Sequence, residues 1–236
     1  MRMRKKIQFL IAFFIFCLSL FHLAHTWMKY KRADREYQVL SEEVKRVEQA
    51  PELMDDRLKE VNSDYIGWIR IPGTAIDYPV VMESKKDYLK TGFYGNESIA
   101  GTPFIRRAQD AFVDPNTVIF AHNMKNGSMF GSLKNYLEKK YCEENPVIEV
   151  QKDGKTFRYR IFSVQLISEK DAEPYTYSFR DEAEQGEYLD NMIRRSIVDF
   201  PEAPKAPTKI LTLSTCHGSD KRLLVQAFKE NVNDEQ

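Results

Sequence analysis

From residue 7 to residue 23 the side chains are almost all apolar, with Gln8, Ser19 and His22 as the polar members. This run restricts the first part of the chain more than any other feature does. Extended through Trp27 and Met28, it reaches the ~20 residues a helix needs to cross the hydrocarbon core of a bilayer. In that setting a lone segment must close its own backbone hydrogen bonds, which only a helix does. Arg2, Arg4, Lys5 and Lys6 precede the run, and Trp27 and Tyr30 stand where aromatic rings settle at the far interface. The pattern predicts a cytoplasmic basic tail over residues 1–6 and an uncleaved single-pass signal-anchor over residues 7–28. The remainder is placed outside the cell membrane. A cleaved signal peptide is the rival reading; its apolar region would be shorter and end at a small-residue site, which His25-Thr26-Trp27 is not. Lys29, Lys31, Arg32 and Arg35 follow the segment and oppose the positive-inside orientation.

Residues 29–61 are charged and periodic in the manner of helices. Tyr37, Leu40, Val44 and Val47 form one stripe, and Met54, Leu58 and Val61 form another after Pro51. Two short amphipathic helices are predicted here, as a linker that packs on the body of the protein. The stripes are too short for a coiled coil. From Asp64 onward the period changes. Strands are predicted over residues 65–72, 76–81, 116–121, 147–151, 156–167, 208–215 and 222–228, with a hairpin turn at Lys152-Asp153-Gly154. Helices are expected over residues 128–141, with Phe130, Leu133 and Leu137 on one face, and over residues 181–198, with Leu189, Ile193 and Ile197 aligned. Many short strands with few helices make a mainly β fold, a closed or half-closed barrel, over residues 62–236. Lys and Arg together number 35, as do Asp and Glu. A net charge of zero gives no basic field for nucleic acid, and no glycine-rich phosphate loop is present.

Three groups with matched chemistry stand at strand ends. The run Lys209-Ile210-Leu211 leads into Thr212-Leu213-Ser214-Thr215-Cys216, and Arg222 opens the next apolar run. Upstream, Val118-Ile119-Phe120-Ala121 leads into His122-Asn123-Met124. A thiol, an imidazole and a guanidinium are the groups that acyl transfer through sulfur needs. The other cysteines, Cys17 in the anchor and Cys142, are read as small hydrophobes, and three cysteines make no disulfide framework. His217 competes with His122 as the base, but neighbours on a strand point to opposite faces. Lys221 competes with Arg222 and lacks its fork of donors.

Thr212-Leu213-Ser214-Thr215-Cys216 with a downstream Arg resembles the sortases, the cysteine transpeptidases of Gram-positive cell surfaces. So does Ala121-His122-Asn123-Met124 followed by Gly127-Ser128-Met129-Phe130. The segment from Gly67 to Val80 and the long insertion before the Cys strand are similar to class B members in particular. The resemblance implies a closed barrel of about eight strands, like other small barrels of this size. It implies Cys216 as the nucleophile of a thioester, His122 as general acid and base, and Arg222 facing the oxyanion. It also implies cleavage after Thr in a C-terminal sorting signal, LPxTG- or NPxTN-like. The partners are then exported surface proteins bearing that signal and an amine of a lipid II-type peptidoglycan precursor. Ser214 and Thr215 would meet the peptide near the cut, Tyr175, Thr176 and Tyr177 would line the groove, and Tyr88 and Leu89 would cover its far end. No cofactor or metal is expected. Three departures stand out: a short Cys-to-Arg interval without an aromatic residue, Ala121 where Gly is common, and the basic pair Arg106-Arg107. A pilin-polymerising enzyme using a Lys amine and a non-catalytic peptide-binding module on a membrane tether remain as alternatives. A papain-like protease does not fit, because its His follows its Cys.

Overall fold

The computed structural model describes residues 2–46 and 51–230. Val47 of the expected stripe and the final residues of the 62–236 domain lie outside them.

One helix, α1, runs from Arg2–Arg46 without a break. Two separate short helices were expected after the anchor; instead the first is a continuation of it. Residues 29–46 contain neither Gly nor Pro, so nothing in the backbone interrupts a helix already under way. The second, α2, is Pro51–Val61, beginning on the residue best suited to a first helical position. Along residues 7–23 α1 is exposed and apolar, with Phe9, Phe14 and Phe21 facing outward. This helix is long and apolar enough, by length and composition, to cross a membrane. Further on its character changes. Ala33, Tyr37, Leu40 and Val44 are buried on one face, at the helical spacing of a stripe that seats on a core. The Tyr37 hydroxyl donates to the Gly101 carbonyl at 2.6 Å. Asp77 receives Ser41 at 2.6 Å from α1 and Trp68 Nε1 at 2.7 Å from the barrel.

The barrel has eight strands: β1 (Tyr65–Arg70), β2 (Asp77–Met82), β3 (Phe104–Ile105), β4 (Asn116–Phe120), β5 (Val147–Lys152), β6 (Lys155–Ser168), β7 (Ile210–His217) and β8 (Lys221–Lys229). They close in the order β1-β2-β3-β4-β7-β8-β6-β5. The pairs β2–β3 and β4–β7 are parallel and the rest antiparallel. β3 is too short to show a period and was not foreseen. The β5–β6 hairpin turns on Asp153 and Gly154, both at positive φ, as expected. Ile69, Ile119, Leu211, Leu213 and Val225 fill the interior, and Trp68 is buried on the other face of β1 with Asp77.

The expected helix over 128–141 is two pieces, a 3-10 turn Gly131–Leu137 and a short α3, Lys139–Glu144. Glu138 is extended between them. At Gly131 a Cβ would fall 2.3 Å from the Met124 carbonyl oxygen, so the chain packs there on its own upstream loop. The insertion between β6 and β7 carries α4, Glu182–Arg194, capped by Asp181, whose carboxylate accepts the Glu184 N–H at 2.9 Å. Its buried face is Gln185, Tyr188, Leu189 and Met192. Of the expected stripe only Leu189 lies at its centre: Ile193 is half-buried, and Ile197 lies past the end of the helix and is exposed.

Candidate active site

Three neighbouring strands bring the reactive groups into one row. On the β7–β8 hairpin Cys216 pairs directly with Arg222, and His217 pairs with Lys221 around a three-residue turn. Gly218 sits in that turn at φ 72°, a conformation that favours glycine. The short Cys-to-Arg interval is the length that makes these two residues cross-strand partners. Arg222 Nη1 donates to Cys216 Sγ at 2.9 Å. On the other side of β7, the parallel register with β4 pairs Phe120 with Ser214. Two residues further along, His122 comes level with Cys216. The chain has left the strand by then, and three bonds keep it alongside. The Ala121 N–H donates to the Ser214 carbonyl at 3.3 Å, the Thr215 hydroxyl to the Ala121 carbonyl at 2.8 Å, and Asn123 Nδ2 to the Cys216 carbonyl at 2.7 Å.

The His122 ring contacts the Leu89 carbonyl through Nε2 at 2.7 Å. A carbonyl oxygen only accepts, so Nε2 carries a proton and Nδ1 is left to exchange one. Leu89 is 40% exposed and stands at the His122 side of the site. Behind His122, the Phe130 N–H returns to the His122 carbonyl at 3.0 Å, and the Met129 N–H donates to the Tyr78 hydroxyl at 3.0 Å. Tyr37 of α1 packs edge-on against Tyr78. Burial pushes the Tyr78 phenol up to about 12, so it stays a neutral hydroxyl at physiological pH.

The insertion supplies a wall. The Tyr175 hydroxyl lies 3.0 Å from Ser214 Oγ, and its ring stacks on Phe120 at 5.8 Å. The segment is held by a buried polar network that sequence reasoning missed. Asn116 Nδ2 donates to the Pro174 and Thr176 carbonyls at 3.2 and 2.9 Å, and Thr212 Oγ1 donates to Asn116 Oδ1 at 2.8 Å. Gln226 Nε2 donates to the Tyr188 hydroxyl at 2.9 Å. The signal was present in the alternation of β7: Thr212, Ser214 and Cys216 share one face, and Leu211 and Leu213 share the other. Thr176 is half-buried and Tyr177 is 38% exposed.

Ser214, expected against the peptide, is 1% exposed beneath the Tyr175 hydroxyl, and two more residues expected at the groove lie elsewhere. Tyr88 is 2% exposed, and its hydroxyl donates to Asp64 at 2.6 Å; it is a core residue under the loop, not a cover over the groove. Thr215 is 1% exposed. It points into the barrel with Leu213, because its neighbours Ser214 and Cys216 straddle it on a pleated strand. Cys216 is exposed, whereas Cys142 is buried and burial pushes its thiol up to about 11. Among the described residues no three His, Cys, Asp or Glu side chains converge on a metal-sized site.

A model of the sortase domain matches residues 69–230. Sortase B of Listeria monocytogenes is 33% identical over 161 residues, 67% of this chain, and the match spans 65% of that protein's length. Sortase B of Staphylococcus aureus is 28% identical over 178 residues, covering 73% of this chain and 72% of that protein. The structure of the S. aureus sortase B–substrate complex superposes with a TM-score of 0.80, covering 87% of this chain and 100% of that one at 24% identity. That likeness establishes the eight-stranded closed barrel as the same fold.

Proposed function

Because this chain belongs to the sortase family, we propose that it is a class B-like cysteine transpeptidase held on the outer face of a membrane by α1. It cleaves a C-terminal LPxTG- or NPxTN-like sorting signal after Thr and joins the new carboxyl end to an amine of a peptidoglycan precursor. The observation that carries this reading is the row of Cys216 and Arg222, paired across β7 and β8, with His122 two residues beyond the Phe120–Ser214 pair of β4 and β7 and Arg222 Nη1 2.9 Å from the sulfur.

In the first half-reaction Cys216 Sγ adds to the carbonyl carbon of the Thr, and the C=O electron pair moves to oxygen. The proton given up by the thiol resides on His122. Arg222 is a fixed positive charge beside the sulfur, and therefore beside the oxygen where negative charge grows. As the tetrahedral intermediate collapses, the C–N bond breaks and His122 gives its proton to the departing amine. The product is a thioester on Cys216. In the second half the acceptor amine attacks that carbonyl and loses a proton to His122. The C–S bond then breaks, and a new amide leaves the enzyme. The bond from His122 Nε2 to the Leu89 carbonyl fixes the ring through both halves. Tyr175, Thr176 and Tyr177 form the peptide wall beside the cut, and Ser214, buried beneath it, holds the Tyr175 hydroxyl at 3.0 Å.

The test uses the full chain in detergent, LPxTG- and NPxTN-type peptides, and mass spectrometry with and without oligoglycine or a diaminopimelate-type amine. Cleavage after Thr, a thioester mass on Cys216 and an amine-dependent ligated product are expected. A folded chain whose Cys216 reacts with a small thiol reagent, but which cleaves none of the peptides, would overturn the reading.

A further inference from the structure

A second guanidinium lies over Phe120, on the face of the sheet that carries Ser214 and Cys216. Arg106 follows β3, and its Cζ lies 4.7 Å over the centre of the Phe120 ring. Phe120 is flanked by Phe104 at 5.7 Å and Tyr175 at 5.8 Å, so the guanidinium rests on an aromatic floor continuous with the Tyr175–Ser214 wall. Tyr175 lies in the field of both cations: burial raises its pKa, and the Ser214 hydrogen bond and the charges of Arg222 and Arg106 oppose that rise. Arg106 is exposed. Among the described residues its guanidinium takes part in no ion pair and no hydrogen bond, whereas Arg158, Arg160, Arg180 and Arg195 are all paired with carboxylates. Arg222, the guanidinium at the nucleophile, is occupied with the sulfur. Arg106 is thus held by stacking with all of its donors free, which suits it to recognise a planar anion.

The distance sets which part of a peptide it meets. β3 is two strands from β7, roughly 10 Å at ~4.8 Å per strand. It is also set back along the sheet by the rows of Ser214 and Phe120. An extended peptide advances ~3.3 Å per residue, so a chain cut at Cys216, with the N-terminal side of the signal laid over Phe120, reaches the Arg106 position about five residues before the cut. We propose that Arg106 is a specificity-determining residue that selects sorting signals carrying a carboxylate side chain, Asp or Glu, immediately before the motif, at the fifth residue before the cleaved bond. The proposal rests on the transpeptidase reading of this groove. The Phe120 face leaves the carboxylate partly wet, so the selection is modest and sensitive to salt.

The experiment places Glu, Gln and Lys in turn at each of the two positions just upstream of the motif in LPxTG- and NPxTN-type peptides. Cleavage is measured with the full chain in detergent at low and at high salt. One position should favour Glu over Gln by about fivefold in kcat/KM, through KM, with the ratio shrinking at high salt. Arg106→Ala should bring that ratio close to one, and Arg106→Glu should invert it in favour of Lys at the same position. Melting curves of both variants establish that they fold. An acid preference that survives Arg106→Ala, or neutral signals cleaved with no acid preference at any position, overturns the assignment and leaves the transpeptidase reading intact. Cleavage of none of the peptides removes both.

Discussion

Arg222 meets Cys216 as its cross-strand partner, and this decides what a substitution there will do. A lysine at 222 keeps the charge but offers a point donor in place of a planar fork, so it cannot span the sulfur and the carbonyl oxygen together. Arg222→Lys is expected to lose about a hundredfold or more in kcat, the scale of losing one oxyanion donor, with an unchanged melting temperature; activity near wild type would remove Arg222 from the mechanism. His122→Ala removes the proton carrier for both half-reactions. Its turnover should fall by about 10²–10⁴, while thiol-reagent labelling of Cys216 persists. His217 should tolerate the same change with little loss, because it follows Cys216 on the strand and projects to the other face.

At the scale of elements, the seat of α1 on the barrel depends on one carboxylate. Asp77 of β2 gathers Ser41 and Lys45 from α1 and Trp68 and Arg70 from β1. Burial works to raise its pKa, but the hydrogen bonds from Ser41, Trp68 and Arg70 outweigh it and hold the group below its ordinary 3.8. A depressed folded pKa adds stability that is present above the unfolded value and is lost as pH falls through the folded one. Asp77→Asn should therefore cost about 1–2 kcal/mol at neutral pH. The difference from wild type should narrow below about pH 4. Equilibrium unfolding at pH 7 and pH 3 checks this, and a difference that does not change with pH would show that the charge contributes nothing. The turn after His122 leans on the same helix through Tyr78 and Tyr37, so the seat of α1 also supports the active site.

At the scale of the whole molecule, α1 has two unlike stretches along one continuous rod, exposed and apolar over residues 7–23 and seated on the core from Ala33 to Val44. Removing residues 1–28 leaves the buried stripe that begins at Ala33 in place and should leave the melting temperature of the body unchanged. Removing residues 1–46 also takes Tyr37, Leu40 and Val44 out of the core and should cost roughly 5 kcal/mol; equal melting temperatures for the two truncations would contradict the packing of α1. In cells the full chain should stay with membranes through an alkaline carbonate wash, and protease added to intact protoplasts should digest the body; a protected body would reverse the orientation. Much of this was legible in the sequence, because local patterns carry it. The apolar run, the period-two strands and the Asp-Gly hairpin are each decided within a few residues, and Cys216, His122 and Arg222 sit in motifs that stand out at strand ends. The two-residue β3, the division of the 128–141 helix and the burial of Tyr88 and Thr215 were not legible there. Those depend on which strand or loop lies across from a residue, and a strand read alone does not say which of its two faces will meet the core. The alignment of three reactive groups in one row, and of Arg106 with them, belongs to the tertiary structure for the same reason: it is set by the register between strands distant in sequence, β4 against β7 and β3 against β4.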